Sequence, residues 1–180
     1  MKKIFMLCAL CSALCAGAAN AAMPLVGFYR TIDDRTNAPR SIIRLYECRE
    51  IGDDDRALCG RIVALYNADT GEISETIKAP ARVAERVRGR PKMVGLDVIW
   101  NMEWEDDKNR YEDGRIMDPQ SGRVYSALIW RDGDDANLLR VRGRIGPVGR
   151  TQVWHRVQES DLPAQLQGLD VSGWEPVIHR

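Results

Sequence analysis

From Gly95 to Arg156 the chain reads almost without interruption as antiparallel β-strands joined by tight turns. The stretch opens with Leu96-Asp-Val-Ile-Trp-Asn-Met-Glu-Trp-Glu105. Leu96, Val98, Trp100, Met102 and Trp104 fall at one parity; Asp97, Asn101, Glu103 and Glu105 fall at the other, and Ile99 breaks the alternation. Period-two alternation of this length predicts a strand with one wet and one buried face. Two tryptophans and a methionine make the dry face a bulky wall, which either fills a core or lines a pocket.

The N-terminus has a different character. Lys2 and Lys3 precede the apolar run Ile4 to Cys15, and Ala19-Asn20-Ala21 is a small-x-small cleavage site. These are the three parts of a secretory signal peptide, residues 1–21. The run is shorter than the roughly 20 residues a bilayer-spanning helix needs, so no stable membrane insertion is expected after cleavage. Cys8, Cys11 and Cys15 follow Leu7, Leu10 and Leu14 rather than the small residue of a lipid-attachment site. Periplasmic localisation is therefore expected. Removing Lys2 and Lys3 from 26 basic residues against 26 acidic ones leaves a slight negative surplus. That balance argues against nucleic acid as a partner.

Export leaves two cysteines, Cys48 and Cys59, and an even pair in an oxidising compartment is read first as a disulfide. Ile42 to Cys48 and Leu58 to Leu65 look like the arms of a hairpin around Gly52 to Asp55. Setting Cys48 opposite Cys59 would pair Tyr46 with Arg61 and Arg44 with Val63. On the other face it would pair Leu45 with Ile62 and Ile43 with Ala64. A metal or redox thiol pair lacks the CxxC spacing it would need.

Elsewhere Val26 to Thr31 is a first strand. Asn67 to Pro91 has no clean period, although Val83 and Val87 could lie on a short helix behind Pro80; a crossover of this length can serve as a lid, and a solvated charged loop is the commoner explanation. Gly114 to Met117 and Arg123 to Trp130 flank Asp118-Pro-Gln-Ser-Gly122, where Asp118 can accept from backbone, Pro119 presets φ and Gly122 takes positive φ. Asn137 to Gly143 and Thr151 to Val157 complete the series. The fold class is all-β: about eight antiparallel strands in an up-and-down barrel, with one or two short helices. The barrel is assigned to 22–158. Residues 159–180 form an extension in which Leu162, Leu166 and Leu169 suit a short helix capped by Ser160.

Gly95-Leu96, Asp113-Gly-Arg-Ile-Met-Asp-Pro119, Gly122-Arg-Val-Tyr125, Leu138-Leu-Arg-Val-Arg-Gly143 and Thr151-Gln-Val-Trp154-x-Arg156 occur in the order of an exported bacterial family. Over about Val26 to Arg156 the chain resembles domain of unknown function 2147. Asn67 to Pro91 and the tail match it poorly. The resemblance implies a lipocalin-like barrel of unassigned role and brings no catalytic residues. Gly27-Phe28-Tyr29 also resembles the Gly-x-Trp of lipocalin first strands, with Tyr for Trp. In lipocalins an arginine late in the barrel stacks on that aromatic; Arg142 and Arg156 are the candidates here.

No nucleophile–base arrangement is announced: His155 and His179 are the two histidines, and GxSxG is absent. The acidic clusters Asp53 to Asp55, Glu105 to Asp107 and Asp132 to Asp135 read as solvated turns, and none reproduces an EF-hand. The protein is thus expected to be no enzyme, with no metal and no cofactor. An eight-stranded barrel can hold one small ligand or be packed solid. The lining is expected from Val98, Trp100, Met102, Trp104 and Tyr125, with Arg142 as the arginine to meet an acidic headgroup, although Leu139 and Val141 claim the face opposite to it. The expected function is binding or carrying a small hydrophobic or amphiphilic molecule of lipid or fatty-acid type. The alternative is a cell-envelope interaction module using the barrel exterior or the tail, its protein partner unknown.

Overall fold

The computed structural model describes residues 25–49, 56–133 and 135–179. The leader, the turn at Gly52 to Asp55 and Asp134 lie outside the described residues. Ten strands form one sheet: β1 (Gly27–Ile32), β2 (Pro39–Arg49), β3 (Arg56–Tyr66), β4 (Ile73–Thr76), β5 (Asp97–Glu105), β6 (Arg110–Glu112), β7 (Arg115–Asp118), β8 (Arg123–Asp132), β9 (Asp135–Ile145) and β10 (Val148–Val157). β1 pairs with both β2 and β10, and β3 pairs with β5, so the sheet closes. With β6 and β7 counted as one interrupted stave, it is an eight-stranded antiparallel barrel. Closure gives each stave of the ring a neighbour on both sides. β4 lies outside the ring, paired with the C-terminal half of β3.

Directly opposed residues share a face, so the register separates inside from outside. Tyr29↔Ile43, Leu45↔Gly60 and Ile129↔Val141 point inward. The interior at one end is solid: Tyr29, Leu45, Leu58, Ile99, Met102, Ile129 and Leu139 are each at most 1% exposed. Gly60 is required there, because a Cβ would lie 2.9 Å from the Leu45 side chain and 3.1 Å from Ile99 Cβ.

The disulfide joins Cys48 and Cys59, with Cα atoms 5.8 Å apart. The hairpin register differs from the expected one by two residues: Cys48 stands opposite Ala57, and Tyr46 opposite Cys59. The offset holds from Ile43 to Cys48, falls to one beyond a bulge between Ile42 and Ile43, and the sulfurs meet diagonally. Closing so short a loop contributes about 3 kcal/mol through the unfolded state. Replacing both cysteines by serine should lower the denaturation free energy by about that amount, read as a shift in urea midpoint.

Two other expectations are corrected. Residues 81–88 form turns rather than helix; Val83 bridges Lys92, and Ala84 and Val87 are buried. The tail forms a 3-10 turn at Glu159–Asp161 followed by further turns. Pro163 and Gly168 interrupt a segment too short to nucleate a helix. Its leucines are nonetheless used, since Leu162 and Leu166 pack with Phe28, Ile42, Val63 and Ala64 on the outer wall.

The crossover is held down by charge. Glu75 accepts from the Ala81 and Arg82 amides at 2.8 Å and from Arg82 Nε at 2.5 Å. Burial raises the Glu75 pKa, but these bonds outweigh it and leave the group below the usual glutamate value. Because the folded pKa is depressed, the stabilisation is present above the unfolded pKa and lost as pH falls through the folded one. The stability difference between wild type and E75Q should therefore shrink on acidification through that range, measured by urea denaturation at each pH.

Candidate functional site

The other end of the barrel is hollow. A cavity of about 560 Å³ opens among the β1–β2, β3–β4, β7–β8 and β9–β10 connections. Ile43, Ile62, Val98, Ile116, Val141 and Trp154 form its apolar wall, with Gly143 providing width on β9. Side chains on Gly143 would press on Ile116 and Tyr125, at 3.3 and 3.5 Å from a Cβ.

Polar groups also line it, among them Arg40, Arg82, Asp118, Arg144, Arg150 and Gln152, and several are paired. Thr31 and Ser41 hydroxyls bond to each other at 2.7 Å. Trp154 Nε1 donates to Gln152 Oε1 at 3.2 Å, and Gln152 Nε2 donates to Asp34 at 3.4 Å. Asp34 also pairs with Arg150, and Asp33 lies 3.6 Å from Arg40. The amides of Arg35 and Thr36 hold the Asp33 carboxyl below its ordinary pKa. The Tyr125 hydroxyl has no protein partner among the described residues. A turn built as expected frames one side of the mouth: Asp118 accepts from Gln120 N and Ser121 Oγ, and Gly122 has φ +70°. A Cβ on Gly122 would strike Arg86 O.

The floor is closed by an arginine–aromatic pair. Arg156 Nη1 donates to Tyr29 Oη at 3.2 Å, Nη2 donates to Val26 O at 3.2 Å, and the guanidinium lies 5.8 Å from the Tyr29 ring centre. Such a contact is a cation–π interaction. Of the two candidate arginines, Arg156 makes it. Gly27, at φ +154°, leaves room for it: a Cβ there would be 3.1 Å from Arg156 Nη2.

Only part of the expected lining lies in the cavity. Val98 and Tyr125 do. Met102 points inward but belongs to the solid end, opposite Leu58. Trp104 also lies away from the cavity, packed on Tyr111 at 5.0 Å, its Nε1 donating to Asp106 at 2.7 Å. Trp100 stands opposite exposed Arg115 on the outer face, where it is 1% exposed in a buried cluster with Ala84 and Val87. Arg142 is also on the outer face, donating to Thr151 Oγ1 at 3.2 Å. For Trp100 the reason is irregular pairing within β5. Gly60 opposes Ile99, while Leu58 opposes Met102 and Arg61 opposes Asp97. Two bulges, with Asn101 at φ +51°, turn Ile99 inward and Trp100 outward.

Sequence reasoning missed the outer network centred on Asp97. Asp97 accepts from Tyr46 Oη (2.9 Å), Arg61 Nε (3.0 Å), Arg61 Nη2 (2.6 Å) and Val177 N (2.7 Å). Arg61 Nη2 also donates to Glu175 O, and its guanidinium stacks 4.3 Å from the Trp174 ring centre. Burial and the adjacent Asp97 carboxylate push the Tyr46 phenol far up, which keeps it a donor. This network fastens the tail to the barrel.

His155 faces outward, at the parity opposite to Trp154 and opposite Leu138 on β9. Among the described residues no group of three His, Cys, Asp or Glu side chains is placed to hold a metal. A family model for uncharacterised proteins conserved in bacteria, DUF2147, matches residues 27–156. No curated protein matches the chain. Among solved structures, protein HP1028 from the human pathogen Helicobacter pylori, described as belonging to the lipocalin family, superposes with TM-score 0.55 and 14% identity. The match covers 76% of this chain and 85% of that one, a likeness of fold.

Proposed function

The chain belongs to DUF2147, and from that premise we propose that it binds or carries one small amphiphilic molecule of lipid or fatty-acid type. The observation that carries this reading is the half-hollow barrel. One end is packed solid, and the other holds about 560 Å³ behind apolar walls. Small-molecule sites are of this size and composition, with few polar groups to fix orientation. An acyl chain would lie between Val98, Ile62 and Val141, and a polar head would stay near Tyr125 and the rim. Arg142, turned outward, has no part in this arrangement. The role is read as non-catalytic, with the ligand leaving unchanged.

The disulfide, together with the lack of any helix among the described residues long and apolar enough to cross a membrane, is consistent with an extracytoplasmic protein. We place it in the periplasm after loss of 1–21. The alternative of an adaptor using the tail is weakened by the burial of Leu162 and Leu166 against the barrel.

Titration with a fluorescent fatty acid tests the reading. Saturable one-to-one binding at or below about 1 μM, displaced by unlabelled lipid, is the expected result. No saturable signal with any chain length would overturn it.

A further inference from the structure

Four large apolar side chains among the described residues are notably exposed, and two of them line the mouth: Ile145 at 64% and Val148 at 76%. Ile145 and Val148 face each other across the β9–β10 turn, and both line the cavity entrance. The apolar wall therefore continues outward onto a projecting lip, Ile145-Gly-Pro-Val148. Singly exposed apolar residues need no explanation, but a contiguous set at a cavity entrance does.

The charge around the lip is one-sided. Arg40 and Arg150 are balanced by Asp33 and Asp34, and Arg123 stands opposite Asp118. Arg142, on the outer face, and Arg144, exposed at the rim where it also lines the cavity, form no ion pair among the described residues. Gly149 lets them converge, since a Cβ there would lie 2.9 Å from Arg144 Cβ and 3.0 Å from Arg142 Nε. Apolar residues at a tip with guanidinium groups behind them that no carboxylate neutralises match the layering of a bilayer surface. The apolar groups reach the acyl boundary while the cations stay at headgroup level.

We propose that the β9–β10 lip docks on anionic phospholipid membranes, setting the cavity mouth against the bilayer. The contact is shallow and reversible, since two side chains and two arginines supply it. The proposal gives the carrier a route for loading and release, but it rests on the lip itself rather than on what occupies the cavity.

The experiment uses the chain from Ala22 in co-sedimentation with vesicles of phosphatidylcholine, with and without phosphatidylglycerol. Wild type should sediment with the anionic vesicles and much less with the neutral ones. R144E should weaken that binding by at least about fivefold, the worth of one arginine near an anionic surface. I145S/V148S should weaken binding to a similar degree with an unchanged melting temperature, because both side chains are already exposed. Equal sedimentation of all three proteins, or none with either vesicle, overturns the proposal. So does a concentration-dependent dimer that I145S/V148S dissolves, which would assign the lip to a second copy. Fatty-acid binding by the wild-type protein in the absence of vesicles separates failure at the lip from failure of the cavity reading.

Discussion

Replacing Asp97 by Asn should destabilise the protein by about 3 to 5 kcal/mol, the largest single-residue effect outside the apolar core. Asp97 is 0% exposed and its partner Arg61 is 7% exposed. The substitution removes the only carboxylate bonded to that guanidinium among the described residues and leaves the cation buried. It also weakens the bonds from Tyr46 and the Val177 amide, loosening the tail. A typical domain has a margin of only about 5 to 15 kcal/mol, so the loss should show as a large drop in both melting temperature and urea midpoint. The double variant R61L/D97L should cost much less than the sum of its parts, because apolar replacement of both partners leaves no orphaned charge. Additive losses would mean that the pair contributes nothing beyond its separate packing.

The second large effect is on binding. V98W/V141W places two indoles across the cavity between its apolar walls, while the solid end keeps its packing. Overpacking of this kind costs about 1 to 3 kcal/mol in stability, less than the margin. Fatty-acid affinity should fall at least about tenfold, equivalent to 1.4 kcal/mol. Retained affinity in a folded variant would place the ligand elsewhere.

Much of the barrel was legible in the sequence because strand alternation and turn chemistry are local. Asp118 to Gly122 forms the turn its residues dictate, and the glycine, tyrosine and arginine of the floor lie where the lipocalin likeness implies. The aromatic wall was misread for a physical reason. Period two gives the face of a residue only while the register is unbroken, and β5 is bulged twice. Asn101 carried a signal, since asparagine tolerates positive φ better than most residues, but alternation continued formally through it. Alternation also says nothing about depth along the axis, so Met102 at the packed end and Val98 at the hollow end looked equivalent. Arg61, Asp97 and Trp174 meet through closure of the barrel and docking of the tail, which no local pattern encodes.

The most direct test of a half-hollow carrier is native mass spectrometry of the protein isolated from the periplasm, beside a solvent extract of the same sample. The account predicts a second mass, a few hundred daltons above the chain, that disappears on unfolding and reappears as an amphiphile in the extract. A single apo mass, together with no uptake of fatty acid in the titration, would contradict it.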